Sequence, residues 1–101
     1  MNDAAEKFAE NLARQRLEAG LTISALAERA EIHRTHVGLL LRGRRIARLD
    51  TVVKLAGALG VKPGTLLEGI VWEPPVKSNG QYRRADTAGG ESGSSQAPPP
   101  L

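Results

Sequence analysis

The chain has 101 residues, a formal charge of +3, no cysteine, and one residue each of Phe, Trp and Tyr. That length holds one small domain, burying only about 60 to 65% of the surface its unfolded chain exposes, and the lack of cysteine excludes a disulfide framework, a thiolate metal site and a Cys nucleophile. The charge is uneven along the chain, with net −2 over Met1–Ile32, +6 over His33–Lys62 and −1 over Pro63–Leu101, so the middle third carries the electrostatic footprint expected where phosphates dock.

Asn2 or Asp3 can cap a first helix running to about Ala19, with Ala5, Phe8, Leu12 and Ala13 on one stripe and Gly20 ending it. Thr22 is a good cap for a second helix in which Ile23, Leu26, Ala27 and Ala30 repeat at helical spacing. Glu31 then occupies a place where a left-handed turn prefers Gly, and Ile32 plugs the core at that turn. A third helix, about His33 to Leu41, buries Val37, Leu40 and Leu41, leaves Arg34, Thr35, Gly38, Leu39 and Arg42 facing out, and reverses at Gly43.

From Leu49 to Leu59 the apolar positions Leu49, Val52, Val53, Leu55, Ala56 and Leu59 form a wide stripe, with Asp50 near the positive end of the helix dipole and Gly60 as the stop. Pro63 suits a first helical position, which predicts a short fifth helix over Pro63–Glu68 covering the base of the core with Leu66 and Leu67. Beyond Gly69 the pattern changes. Ile70 to Glu73 and Gln81 to Arg84 predict two short extended segments forming a hairpin or arm, and the Gly-, Ser- and Pro-rich stretch from Ala85 onward predicts disorder. The expected organisation is an all-α five-helix domain over 1–69, an arm over 70–84 that is a candidate dimerisation element, and a tail over 85–101.

Few other chemistries fit these residues. His33 and His36 stand three apart with Asp50 nearby but no third ligand at a recognised spacing, so no metal site is expected. The carboxylates Glu28, Glu31, Asp50 and Glu68 are scattered as surface-helix choices, and no Ser, His and Asp set converges, so neither catalysis nor a cofactor is expected. No apolar run nears the roughly 20 residues needed to span a bilayer, and the N-terminus lacks the order of a secretory signal, which points to the cytoplasm. A DNA major groove is about 12 Å wide and admits one α-helix. The third helix with the arginines behind it matches that dimension and that charge.

The order Leu21-Thr22, then Leu26-Ala27-Glu28-Arg29-Ala30, Ile32, Val37 with Leu40, Arg42-Gly43-Arg44-Arg45, Leu49-Asp50-Thr51, Leu55-Ala56 and Ala58-Leu59-Gly60-Val61 resembles the lambda-repressor-like helix-turn-helix family, also called the Cro or XRE type. The resemblance runs from about Phe8 to Glu68. It implies a five-helix bundle whose third helix enters the major groove, commonly as a homodimer on a palindromic double-stranded DNA operator. By position it implies base contacts from Arg34, Thr35, Gly38 and Leu39, and phosphate contacts from Thr22, Ile23, His33, Arg44, Arg45 and Arg48. Two departures stand out. Ile23 replaces a frequent Gln that buttresses the groove helix, so only the backbone of the second helix can meet phosphate there; Leu41 replaces a frequent Glu, leaving Arg16 without that partner.

Two functions follow from this reading. The leading one is a sequence-specific transcriptional regulator, a dimeric repressor or autoregulator. The alternative is an adaptor or antitoxin-like protein that uses the same bundle to hold a protein partner, with the tail as docking segment. Trp72 and Tyr82, beyond the fifth helix, are expected to pack on the domain or on a dimer partner rather than stack on bases.

Overall fold

The computed structural model describes residues 3–75 and the backbone of residues 81–84. In chain order it has α1 (Asp3–Ala19), α2 (Ile23–Ala30), α3 (Arg34–Leu41), α4 (Leu49–Leu59) and α5 (Pro63–Leu66), then β1 (Ile70–Glu73) and β2 (Gln81–Arg84). The five-helix all-α architecture and the short hairpin expected from the sequence are both present; the tail over 85–101 and the capping role of Asn2 lie outside the described residues.

Each helix is delimited by local chemistry. The hydroxyl of Thr22 accepts from the Ala25 N–H at 3.0 Å and so starts α2. His33 is not the first residue of α3 but its cap: Nδ1 accepts from the Thr35 N–H at 3.1 Å, which satisfies one of the donors a helix start leaves open. Helix α2 ends at Glu31, the one non-glycine residue at positive φ among the described residues, with φ of 58° and its N–H on the Ala27 and Glu28 carbonyls. A side chain in that conformation is disfavoured by about 1–2 kcal/mol, and the turn is retained because Ile32 behind it packs on the core.

The core is aliphatic and common to all five helices. Leu12, Leu26, Val37, Leu40, Leu55 and Leu66 are fully buried, with Phe8, Ala27, Ala30, Val52 and Ala56 completing one cluster. Burial of each Leu contributes about 1.5–3 kcal/mol. Helix α2 lies against α3 and α4, and α1 against α3 and α5. At the end of α3, Gly43 is buried with φ of 70°, and a Cβ there would meet the Glu6 Cα and Cγ at 3.5 Å. Glycine serves the left-handed turn at this corner, and a side-chain carbon there would only touch α1 at ordinary contact distance.

The polar residue Asn11 is fully buried on α1. Its Nδ2 donates to the carbonyls of Leu66 and Glu68, both at 2.9 Å, and its Oδ1 accepts from Arg14 at 3.0 Å. These bonds satisfy the carbonyl end of α5 and tie the shortest helix to the longest. Helix α5 closes at Leu66 rather than Glu68, and Leu67, expected in the core, is 42% exposed. A four-residue helix has a single turn, which aims one of two successive leucines inward.

The wide stripe expected on α4 is only partly core-facing. Val52, Leu55 and Ala56 are buried, whereas Leu49 is 78% and Val53 51% exposed. Those two positions are one turn apart on the same flank of the helix. Strand β1 pairs antiparallel with β2, with Ile70 opposite Arg84 and Trp72 opposite Tyr82, and the hairpin rests on α1 through Ile70. Trp72 is half exposed on it; the side chain of Tyr82 lies outside the described residues.

Candidate nucleic-acid interface

Helices α2 and α3 meet at the Glu31 turn, and the starts of the two helices frame an open cleft lined by Arg16, Thr22, Ile23, Ser24, Arg34, Thr35, Gly38 and Arg42. Three guanidinium groups face this cleft and no carboxylate lines it. Among the described residues none of the three is within 4 Å of a carboxylate oxygen, unlike Arg14 with Glu68 or Arg48 with Asp50. An arginine cluster without internal counter-charge attracts anions, and its planar donor forks suit phosphate oxygens and the O6 and N7 edge of guanine.

The cleft brings together five of the ten residues expected at the interface: Arg34, Thr35 and Gly38 from α3, and Thr22 and Ile23 from the start of α2. Arg34 and Thr35 are exposed, and Gly38 is half buried. Leu39 is half buried and does not line the cleft. Ile23 packs its side chain on the core, so only its backbone N–H is offered to an anion, at the positive end of the α2 dipole. His33 is exposed but already employs Nδ1 as the cap of α3. Arg44, Arg45 and Arg48 are exposed on the segment between α3 and α4, outside the cleft, and the Arg48 Nε sits 3.5 Å from the Asp50 carboxylate across the start of α4.

Three cleft residues, Arg16, Ser24 and Arg42, were not among those the resemblance assigned to DNA contacts. Arg42 lies at i+8 from Arg34 with Gly38 between them, and a Cβ on Gly38 would stand 3.9 Å from the Arg42 Nη2. Arg42 thus folds back along the outer face of α3 beside Gly38, a spacing of four residues that was readable in advance. Arg16 comes from α1. Deprived of a Glu at position 41, its Nη1 donates instead to the Leu21 carbonyl at 2.8 Å, while its buried Nε has no hydrogen-bond partner. That arrangement pins the guanidinium at the mouth of the α1–α2 turn and had no sequence signal beyond the absent acid.

Gly38 carries a testable consequence. At 3.9 Å an added methyl makes an ordinary contact, and Ala is favoured over Gly in a helix interior by about 0.5–1 kcal/mol. Gly38→Ala is expected to raise the melting temperature by about 2–8 °C and to weaken duplex binding by holding α3 off the groove floor. Thermal unfolding and a binding titration on the same variant check the two effects, and a lowered melting temperature counts against the first.

Fold and cleft together are those of a helix-turn-helix domain. A family model described as helix-turn-helix matches residues 12–66, more than half of the chain, and the protein belongs to that family. The family, of the Cro and XRE type, consists of DNA-binding transcription regulators and is not enzymatic. Control protein C.BamHI of Bacillus amyloliquefaciens is 35% identical over 51 residues, which are 50% of this chain and 63% of that protein. The chain thus spans less than two thirds of that relative's length. The restriction-modification controller protein C.AhdI from Aeromonas hydrophila superposes with a TM-score of 0.60 at 35% identity, covering 61% of this chain and 94% of that one. The clp gene regulator ClgR from C. glutamicum superposes with a TM-score of 0.60 at 25% identity, over 63% and 83% of the two chains. Among the described residues no helix is long and apolar enough to cross a membrane.

Proposed function

We propose that this protein is a sequence-specific regulator of transcription that binds double-stranded DNA as a homodimer and represses from a palindromic operator, its own promoter included. The observation that carries the reading is the acid-free cleft, in which Arg34, Thr35, Gly38 and Arg42 of α3 share one opening with the N-terminal turn of α2. Helix α3 has eight residues and is therefore about 12 Å long, the width of the groove it enters. In this reading Arg34 takes guanine through O6 and N7, Thr35 meets a thymine methyl or a base acceptor, and Gly38 and Leu39 set the close apolar approach. Thr22 and the backbone of Ile23 hold one phosphate, while His33, Arg44, Arg45 and Arg48 hold others. Binding DNA exchanges the Arg48–Asp50 contact, in which both side chains are largely exposed, for a phosphate. The names of C.BamHI and C.AhdI as controller proteins support the regulatory part of the reading. Such a function belongs in the cytoplasm, with the chromosome.

Selection of bound duplexes from a random pool tests the proposal. A single enriched, two-fold symmetric site is expected, with half-sites about 34–36 Å apart or a multiple of that distance. Arg34→Ala should relax base preference at one position per half-site, whereas Arg45→Ala should weaken all duplexes alike and lower the slope of log affinity against log salt by about 0.9. Recovery of no preferred duplex by the wild-type chain defeats the proposal and leaves the protein-holding adaptor as the better account.

A further inference from the structure

Within the cleft, the Arg34 Nη1 donates to the Ser24 Oγ at 3.2 Å, across the gap between α3 and α2. From this geometry we infer that Ser24 is the positioning residue for sequence readout: it anchors one edge of the Arg34 guanidinium so that the other edge is presented to a base. The inference rests on the DNA-binding reading above and adds a residue that the expected contact set does not contain.

Three observations converge on it. The Ser24 hydroxyl is available, because the start of α2 is already capped by Thr22, which accepts from the Ala25 N–H. Ile23, the neighbouring residue at the start of α2, turns its side chain into the core and has no hydrogen-bonding group, so it offers α3 no acceptor. Arg34 also shares its cleft with Arg16 and Arg42, both cationic. Like charges push an unanchored arginine outward along its four rotatable bonds, and a single neutral acceptor on the facing helix holds it in one orientation.

The guanidinium is planar, with five donors in a fixed fork. Once Nη1 is committed to Ser24, the Nε and Nη2 edge remains as a side-on pair of parallel donors, the arrangement that meets O6 and N7 of guanine together. In free protein this hydrogen bond is exposed and weak. In the complex, water leaves the cleft and the same bond strengthens as the local dielectric falls, so its contribution appears in discrimination between bases more than in folding.

The experiment compares wild type, Ser24→Ala, Ser24→Thr, Arg34→Ala and the double variant Ser24→Ala/Arg34→Ala on the selected operator and on operators substituted at each base pair in turn. Arg34→Ala is expected to reduce the preference for guanine at one position by roughly 5- to 150-fold. Ser24→Ala should reduce that same preference by roughly 2- to 10-fold, leave the salt slope and melting temperature unchanged, and have no effect once Arg34 is gone. Ser24→Thr, which keeps the hydroxyl, should restore it. Retention of the wild-type preference by Ser24→Ala overturns the inference, as does an equal loss on all sequences with a smaller salt slope, which makes Ser24 a phosphate contact. Failure of Arg34→Ala to change any base preference overturns instead the assignment of Arg34 as a reader, and the two failures are read from different variants.

Discussion

Leu40→Ala is expected to destabilise the domain by about 2–5 kcal/mol and to abolish DNA binding at physiological temperature. Helix α3 is held in the fold by two fully buried side chains, Val37 and Leu40, since its other residues are exposed or half buried. Truncating Leu40 removes three carbons from the centre of the cluster that also contains Leu12, Leu26 and Leu55. A cavity then opens beneath α3, because helices fastened by caps and short turns collapse only partly around a deletion. Small domains have little stability to lose, since native states lie only about 5–15 kcal/mol below the unfolded chain. The melting temperature should fall by roughly 8–40 °C, at about 4–8 °C per kcal/mol for a domain of this size. Circular dichroism against temperature checks the first effect, and titration of the operator at physiological temperature checks the second. A shift under about 5 °C would mean that α3 is anchored by something other than this contact.

Most of the fold was legible in the sequence, and part of the interface was not. Leu26, Ala27, Val37, Leu40 and Leu55 repeat at helical spacing, and Thr22, Gly43 and Gly60 stand at the turns, so local propensity and long-range packing agree. Failures came where periodicity says only that a position is apolar. Leu49, Val53 and Leu67 satisfy the pattern yet remain exposed, because a helix stripe wider than its neighbours can cover leaves its flanks outside. Asn11 fails in the opposite sense: it lies three residues beyond Phe8 on the buried face, and its value depends on carbonyls of Leu66 and Glu68 more than fifty residues away. In the cleft, Arg34 and Thr35 followed from their places at the start of α3. Arg42 followed from its spacing along the same helix, whereas Arg16 and Ser24 required the crossing of three helices before they could be seen to share one opening with them.

The exposed apolar residues lead to the second large expectation, which rests on the proposed homodimer. Ile46 is 58%, Leu49 78% and Val53 51% exposed, and Ile46 and Leu67 also line an apolar notch of about 180 Å³ over Phe8 and Val52. Apolar side chains gathered on one flank of α4 and the segment before it suit a contact surface, and in the proposed homodimer a second copy would bring the same flank to meet it about a two-fold axis, as in most soluble oligomers. Leu49→Glu combined with Val53→Glu places four carboxylates against one another at such an axis. The double variant should sediment as a monomer, with a melting profile close to that of a folded domain because both side chains project away from the core. Its affinity for a single half-site should be unchanged, while affinity for the full palindrome should fall by about 10²–10⁴-fold, the advantage that linking two binding events confers. Sedimentation velocity and operator titration decide the matter together: a variant that stays dimeric, or a monomer that binds the palindrome as tightly as wild type, removes this flank of α4 from the assembly and sends the search for the interface to the hairpin around Trp72.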